Sequence, residues 1–182
     1  MNELEKMQNI LKKENYQLCK ITCCFSGHRA QSLPWGFNEK DERCKKMKSR
    51  LKKEIISAIN SGYSTFICGM ALGFDTICAE MVLKLKKNYP HIKLIGALPC
   101  KTQDKLWREK DHKRYRRLLK KLDSIRCIYD NYIGSECMIE RNRFMINNSS
   151  LLIALFGGKS GGTKSTIDYA KKQGVKIVVI TP

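Results

Sequence analysis

Six short apolar runs recur along the chain, each separated from the next by a longer stretch of helical period. The runs are KITCCFS (20–26), YSTFIC (63–68), IKLIGAL (92–98), SIRCIY (124–129), SLLIALF (150–156) and VKIVVI (175–180). Several are apolar at nearly every position, as expected of strands covered on both faces in a parallel sheet. Between them, Phe74, Ile77, Cys78, Met81, Val82 and Leu85 follow the i, i+3, i+4, i+7 rule. Met47, Leu51, Ile55 and Ile59 recur every four residues, which marks a second amphipathic helix. Strands alternating with helices in this way predict a doubly wound α/β fold. Its sheet should be mostly parallel, of about six strands, with helices on both faces.

A chain of 182 residues with 42% hydrophobic content is most simply one domain with a full core. We expect it to span residues 19–182, with 1–18 as an N-terminal helical extension whose weak stripe is Leu4, Met7 and Leu11. No apolar run reaches the roughly 18 residues of a membrane span. The charged N-terminus lacks the apolar centre of a signal peptide. These features predict a cytoplasmic protein without a membrane partner. Nine cysteines, no C-x-x-C spacing and three histidines speak against a zinc site or a disulfide framework, and no metal or cofactor is expected. The 35 Lys+Arg against 17 Asp+Glu leave a net charge of +18, which favours anionic partners without choosing among nucleotides, nucleic acid and acidic proteins.

In an open α/β sheet ligands bind beyond the carboxyl ends of the strands, so the residues after each run matter most. They are Ser26, Gly27, His28 and Arg29; then GMALGFD (69–75); then PCKTQ (99–103); then GGKSGGTKST (157–166). Gly69 and Gly73 would let backbone approach a ligand closely, and the helix that follows offers a positive dipole end. Gly157, Gly158, Gly161 and Gly162, followed by Thr163 and Thr166, repeat the device. Neither loop is a P-loop or a G-x-G-x-x-G fingerprint, and each equally fits a tight strand-to-helix turn.

The acids have two readings. Asp75 in a first helical turn serves a cap or the dipole, and Glu80 lies on another face of the same helix. Arg141 and Arg143, with Asn142 and Asn147, precede the fifth run; such guanidinium forks suit phosphate or a structural carboxylate. The segment 101–121 carries ten Lys/Arg against three acids. We expect a basic helix there, buried through Trp107, Tyr115, Leu118, Leu119 and Leu122, and exposed either as a solvated face or as a nucleic-acid or ligand-mouth surface.

Taken in order, SGHR, FICGMALGFDTICAE, IKLIGALPC with Gln103 and Trp107, CMIERNRFMINNSSLLIALF and GGTKSTIDYA resemble the YpsA-like family of the SLOG superfamily. The resemblance covers about residues 20–182. It implies a Rossmann-like fold and a nucleotide-like or ADP-ribose-like ligand. That ligand would touch Ser26, Gly27, His28, Arg29, Gly69, Met70, Ala71, Gly73, Asp75, Pro99, Gln103, Trp107, Arg141, Asn142 and the 157–166 loop. It also implies a homodimer or higher oligomer and, by analogy, a role linked to defence or anti-defence. LOG phosphoribohydrolases of the superfamily carry P-G-G-x-G-T-x-x-E. Here Thr166 stands at the glutamate position and the proline is absent.

Three readings result. The first is a sensor or sequestering protein for a nucleotide-derived molecule. The second is an N-glycosidase or phosphoribohydrolase using Glu80 or Asp75, with Arg141 steadying a phosphate. The third is DprA-like nucleic-acid binding. The departure at Thr166 favours the first.

Overall fold

The computed structural model describes residues 3–182. The chain runs through α1 (Glu3–Lys20), β1 (Thr22–Gly27), a short 3-10 turn, α2 (Glu42–Asn60), β2 (Thr65–Cys68), α3 (Phe74–Leu85), β3 (Lys93–Cys100) and α4 (Glu109–Leu119). It continues through β4 (Ser124–Tyr129), α5 (Glu136–Asn147), β5 (Leu151–Leu155), α6 (Gly162–Lys172) and β6 (Lys176–Ile180). Every expected strand is present, with each end within two residues of its expected place. The stripe expected on α1 falls on side chains outside the described residues.

All six strands pair in parallel, in the order β4-β3-β2-β1-β5-β6. The chain winds outward from β1 to β4, then returns to lay β5 on the other side of β1. The switch point therefore lies between β1 and β5. Helices α2, α3 and α4 cover one face of the sheet; α5 and α6 cover the other.

Alternation along the strands feeds two cores. Cys23, Phe25, Phe66, Cys68, Leu94 and Ile153 pack under the first group of helices. Cys24, Ile67, Ala97, Leu152 and Ala154 pack under the second. The helical periods land as their spacing requires, with Met47, Leu51, Ile55 and Ile59 of α2 buried and α3 buried through Phe74, Ile77, Cys78, Val82 and Leu85. Helix α2 starts at Asp41, whose side chain accepts a hydrogen bond from Arg43 N at 2.9 Å, as an N-cap acid should.

One expected element differs. The basic helix is confined to Glu109–Leu119, and residues 101–107 form turns. The backbone of Lys101 is tied to Asp130 and that of Lys105 to Thr102, so this segment bends over the strand ends. Among the described residues no helix is long and apolar enough to cross a membrane.

Candidate functional site

The turn leaving β2 is filled by the protein itself. A Cβ at Gly69 would lie 2.0 Å from Arg141 Nη1 and 2.7 Å from Asp75 Oδ2. Arg141 reaches from α5 across the end of β2, where its Nη1 donates to the Gly69 carbonyl and sits 3.8 Å from Asp75 Oδ2. Its Nε donates to Asn142 Oδ1 at 2.9 Å. Both Arg141 and Asp75 are buried. Burial raises the Asp75 carboxyl above the usual carboxylate range, and the neighbouring Arg141 pulls it back in part. Asp75 does not cap α3; Gly73 holds that position, and Asp75 Oδ2 instead accepts from Ala71 N at 3.2 Å. Gly73 has φ +100, and a Cβ there would meet Ala30 N at 2.6 Å. The close approach that the glycines suggested is met by intramolecular neighbours.

The polar chain continues into the last helix. Asn142 Nδ2 donates to Thr166 Oγ1 at 3.0 Å, and Thr166 Oγ1 donates to Gly162 O at 2.8 Å. Thr166, buried in α6, thus ties α5 to the loop that opens its own helix. That loop is otherwise exposed, with no atom within 4 Å of a Cβ placed at Gly158, Gly161 or Gly162. Gly157 N faces His28 Nε2 at 3.5 Å, and the His28 ring lies 6.1 Å from that of Phe156. Burial and nearby Lys159 lower the His28 pKa. Ser26 is buried at the end of β1, and Gly27 is closed off by Phe74, 2.4 Å from a Cβ there.

A cavity of about 940 Å³ opens over the ends of β2, β3 and β4. Arg29, Ala71, Pro99, Gln103, Trp107 and Arg141, all expected in the site, line it. Ser26, Gly27, His28, Gly69, Met70, Gly73, Asp75, Asn142 and the 157–166 loop do not. The expected residues therefore divide into a cavity set and a switch-point set, bridged by the buried Arg141. Gln103 Nε2 donates to the Tyr115 hydroxyl at 2.8 Å and to Met70 O at 3.4 Å, fixing the cavity floor. Trp107 meets Tyr115 edge-on at 5.1 Å, and burial lifts the Tyr115 phenol to about 12.

Phe37 and Tyr132 line the walls with no sequence expectation pointing to them, and Lys105 and Arg108 join them from the basic segment for which a ligand mouth is one reading. Arg108 stacks 3.9 Å over the Phe37 ring while its Nε donates to Asp111 at 2.7 Å. The signal that could have found the first of them was PWGF (34–37), an aromatic pair in an otherwise polar loop. Of the remaining candidates, Glu80 is gripped by Arg114 through two hydrogen bonds of 2.7 and 2.6 Å and lines no part of this cavity. Arg143 is exposed and paired with Glu140 at 2.5 Å. Asn147 accepts from the Tyr169 hydroxyl at 2.9 Å. Among the described residues no group of three or more His, Cys, Asp or Glu could hold a metal ion.

A family model described as the YspA SLOG family matches residues 23–182. A UPF0398 protein of Brevibacillus brevis is 31% identical over 76% of this chain and 73% of its own. YoqJ, an SPbeta prophage-derived protein of Bacillus subtilis, is 37% identical over 59% of this chain and 69% of its own. Among solved structures, DNA processing protein A (DprA) from Helicobacter pylori, described for its single-stranded DNA binding mode, has a TM-score of 0.61 at 19% identity. That match covers 91% of this chain and 67% of the other. DprA from Streptococcus pneumoniae has a TM-score of 0.62 at 18% identity, and this chain spans 51% of it. At these identities the two structures attest the shared fold.

Proposed function

The chain belongs to the YspA SLOG family, and from that premise we propose that it binds a nucleotide-like small molecule in the 940 Å³ cavity, as a sensor or sequestering protein. The cavity carries the reading. Its size is that of a ligand pocket, and it lies over carboxyl strand ends, where open α/β sheets bind ligands. Arg29 and Lys105 line it with no ion-pair partner among the described residues, leaving positive charge for a phosphate. Phe37, Trp107 and Tyr132 supply faces on which a base can stack, and Gln103 supplies an amide. The open 157–162 loop, beside His28, would take a second portion of an extended ligand such as an ADP-ribose derivative.

The experiment is mass spectrometry of small molecules released on heat denaturation of purified protein, paired with a thermal-shift screen of nucleotides and ADP-ribose derivatives. An intact ligand, or saturable stabilisation without breakdown, supports the proposal. No ligand and no shift would defeat it. Light scattering on the same sample reads the homodimer that the resemblance implies.

A second reading, binding of single-stranded nucleic acid, is favoured by the +18 charge and by the likeness to H. pylori DprA. It predicts an affinity for oligothymidylate that falls steeply with salt and weakens on charge reversal of Arg116 and Arg117. Hydrolysis has less behind it. Glu80 and Asp75 are each engaged by an arginine, and the Thr166 hydroxyl cannot serve as a carboxylate. Free base released from a nucleoside monophosphate is the outcome that would establish it.

A further inference from the structure

Helix α1 stands uncovered. Every described side chain from Glu5 to Leu18 is exposed, and Ile10, Tyr16 and Leu18 are each more than half exposed. The helix is tied down at its C-terminal end, where Leu18 O accepts from the Thr22 hydroxyl at 2.6 Å and Lys20 O from the Ser150 hydroxyl at 2.9 Å. The family match begins at residue 23, so α1 is no part of the shared fold. Helices in proteins draw most of their stability from a buried apolar face, and this 18-residue helix buries none within its own chain among the described residues.

The spacing of its residues shows which face that would be. Leu4, Met7, Leu11, Glu14, Leu18 and Ile21 recur at alternating intervals of three and four, the a and d positions of a coiled coil. Leu4, Met7 and Leu11 are placed on this seam by register alone; Leu18 and Ile21 are exposed on it. The flanking e and g positions hold Gln8, Ile10, Asn15 and Gln17, with Glu3 at the end. Four lysines, Lys6, Lys12, Lys13 and Lys20, fall on the outer b and c positions. The seam and its shoulders are therefore uncharged except at Glu3 and Glu14.

Charge also selects the partner. A net charge of +18 makes most of the surface repel a second copy, but α1 holds four lysines against three glutamates. Its first half carries two glutamates and one lysine, its second half three lysines and one glutamate. An antiparallel pair sets these unlike halves together. It also holds the two basic domains at opposite ends of a helix about 27 Å long.

We propose that α1 is a dimerisation arm, pairing antiparallel with α1 of a second copy of this chain along the seam from Leu4 to Ile21. The inference is independent of what the cavity binds. A charged residue inside a short seam fixes register at a cost in stability, so Glu14 makes the dimer weak and concentration-dependent.

Sedimentation velocity of the full chain over a concentration series should show a monomer–dimer equilibrium. Ile10→Glu and Leu18→Glu, both at exposed positions, should each weaken the dimer by roughly tenfold or more, because each change counts twice in a two-fold pair. Glu14→Leu completes the seam and should tighten the dimer by a similar factor, a gain that misfolding does not mimic. Residue 18 lies across from residue 7 in the antiparallel register. Met7→Cys combined with Leu18→Cys should therefore form a disulfide-linked dimer under mild oxidation, and Leu18→Cys alone should cross-link no more than wild type. A wild-type protein that stays monomeric at every concentration overturns the proposal. A dimer indifferent to all three seam substitutions lies on another surface and overturns it as well. Efficient cross-linking by Leu18→Cys alone would overturn the antiparallel arrangement.

Discussion

Two glycine-rich loops follow strands of this sheet and look alike in sequence, but their surroundings are opposite. At 69–73 the space beside the backbone is full. Arg141 and Asp75 occupy the place of a Gly69 side chain, and the backbone of Ala30 and His28 occupies that of Gly73. At 157–162 the space is open, with only Pro182 within 4 Å of a Cβ at Gly157. A missing side chain shows that something needs room, and the something can be the protein's own buried arginine. The filled loop is a rigid floor, carrying Met70 at φ 57, a cost the fold accepts where surrounding contacts overdetermine the backbone. The open loop is the one whose freedom is left for a ligand.

The largest effect should come from the filled loop. Arg141→Met leaves Asp75 buried without its partner and should cost about 3–5 kcal/mol in urea unfolding. Adding Asp75→Asn should recover part of that loss; a single variant within about 1 kcal/mol of wild type would break the comparison. Gly69→Ala drives a methyl group into Arg141 and should cost about 2–3 kcal/mol. An unchanged denaturation midpoint would mean that the guanidinium has somewhere else to go.

Acidification probes the junction between the loops. His28 has a lowered pKa, so below the ordinary histidine value of about 6.5 the unfolded chain takes the proton first. Stability should fall as pH drops through that window, and Gly157 N loses its acceptor on the imidazole. The wild-type melting temperature should therefore drop more than that of His28→Gln between neutral and mildly acidic pH. Equal drops would show that His28 does not couple to the fold. The smallest effect belongs to the open loop, where Gly162→Ala should stay within about 0.5 kcal/mol of wild type. The same variant sharpens the functional question, because a weakened nucleotide-induced melting shift would put the ligand against this loop, and a retained one would confine it to the cavity.

The fold was largely legible because its signals are local. The run SLLIALF is apolar enough to demand burial on both faces, and Met47, Leu51, Ile55 and Ile59 repeat closely enough to demand a helix. The site was legible only in part. Gln103 is legible because it follows a strand, and Trp107 because the family resemblance includes it. Phe37 and Trp35 escape a sequence reading because a long loop has no period to read. Residues 101–107 were read as helix from their charge, and the tie between Lys101 and Asp130 bends them into turns instead.

By itself the sequence determined the alternation of strands and helices, the excess of positive charge and the crowding of glycine and polar residues at one sheet edge. Each follows from residue type and near-neighbour spacing. Only the tertiary structure decided that β5 lies beside β1, that Arg141 spends its charge on Asp75 and Glu80 on Arg114, and that Arg29 and Lys105 line the large cavity with no ion-pair partner among the described residues. Those outcomes depend on which distant segments meet, and a side chain's availability for a ligand is what remains after such meetings have been satisfied.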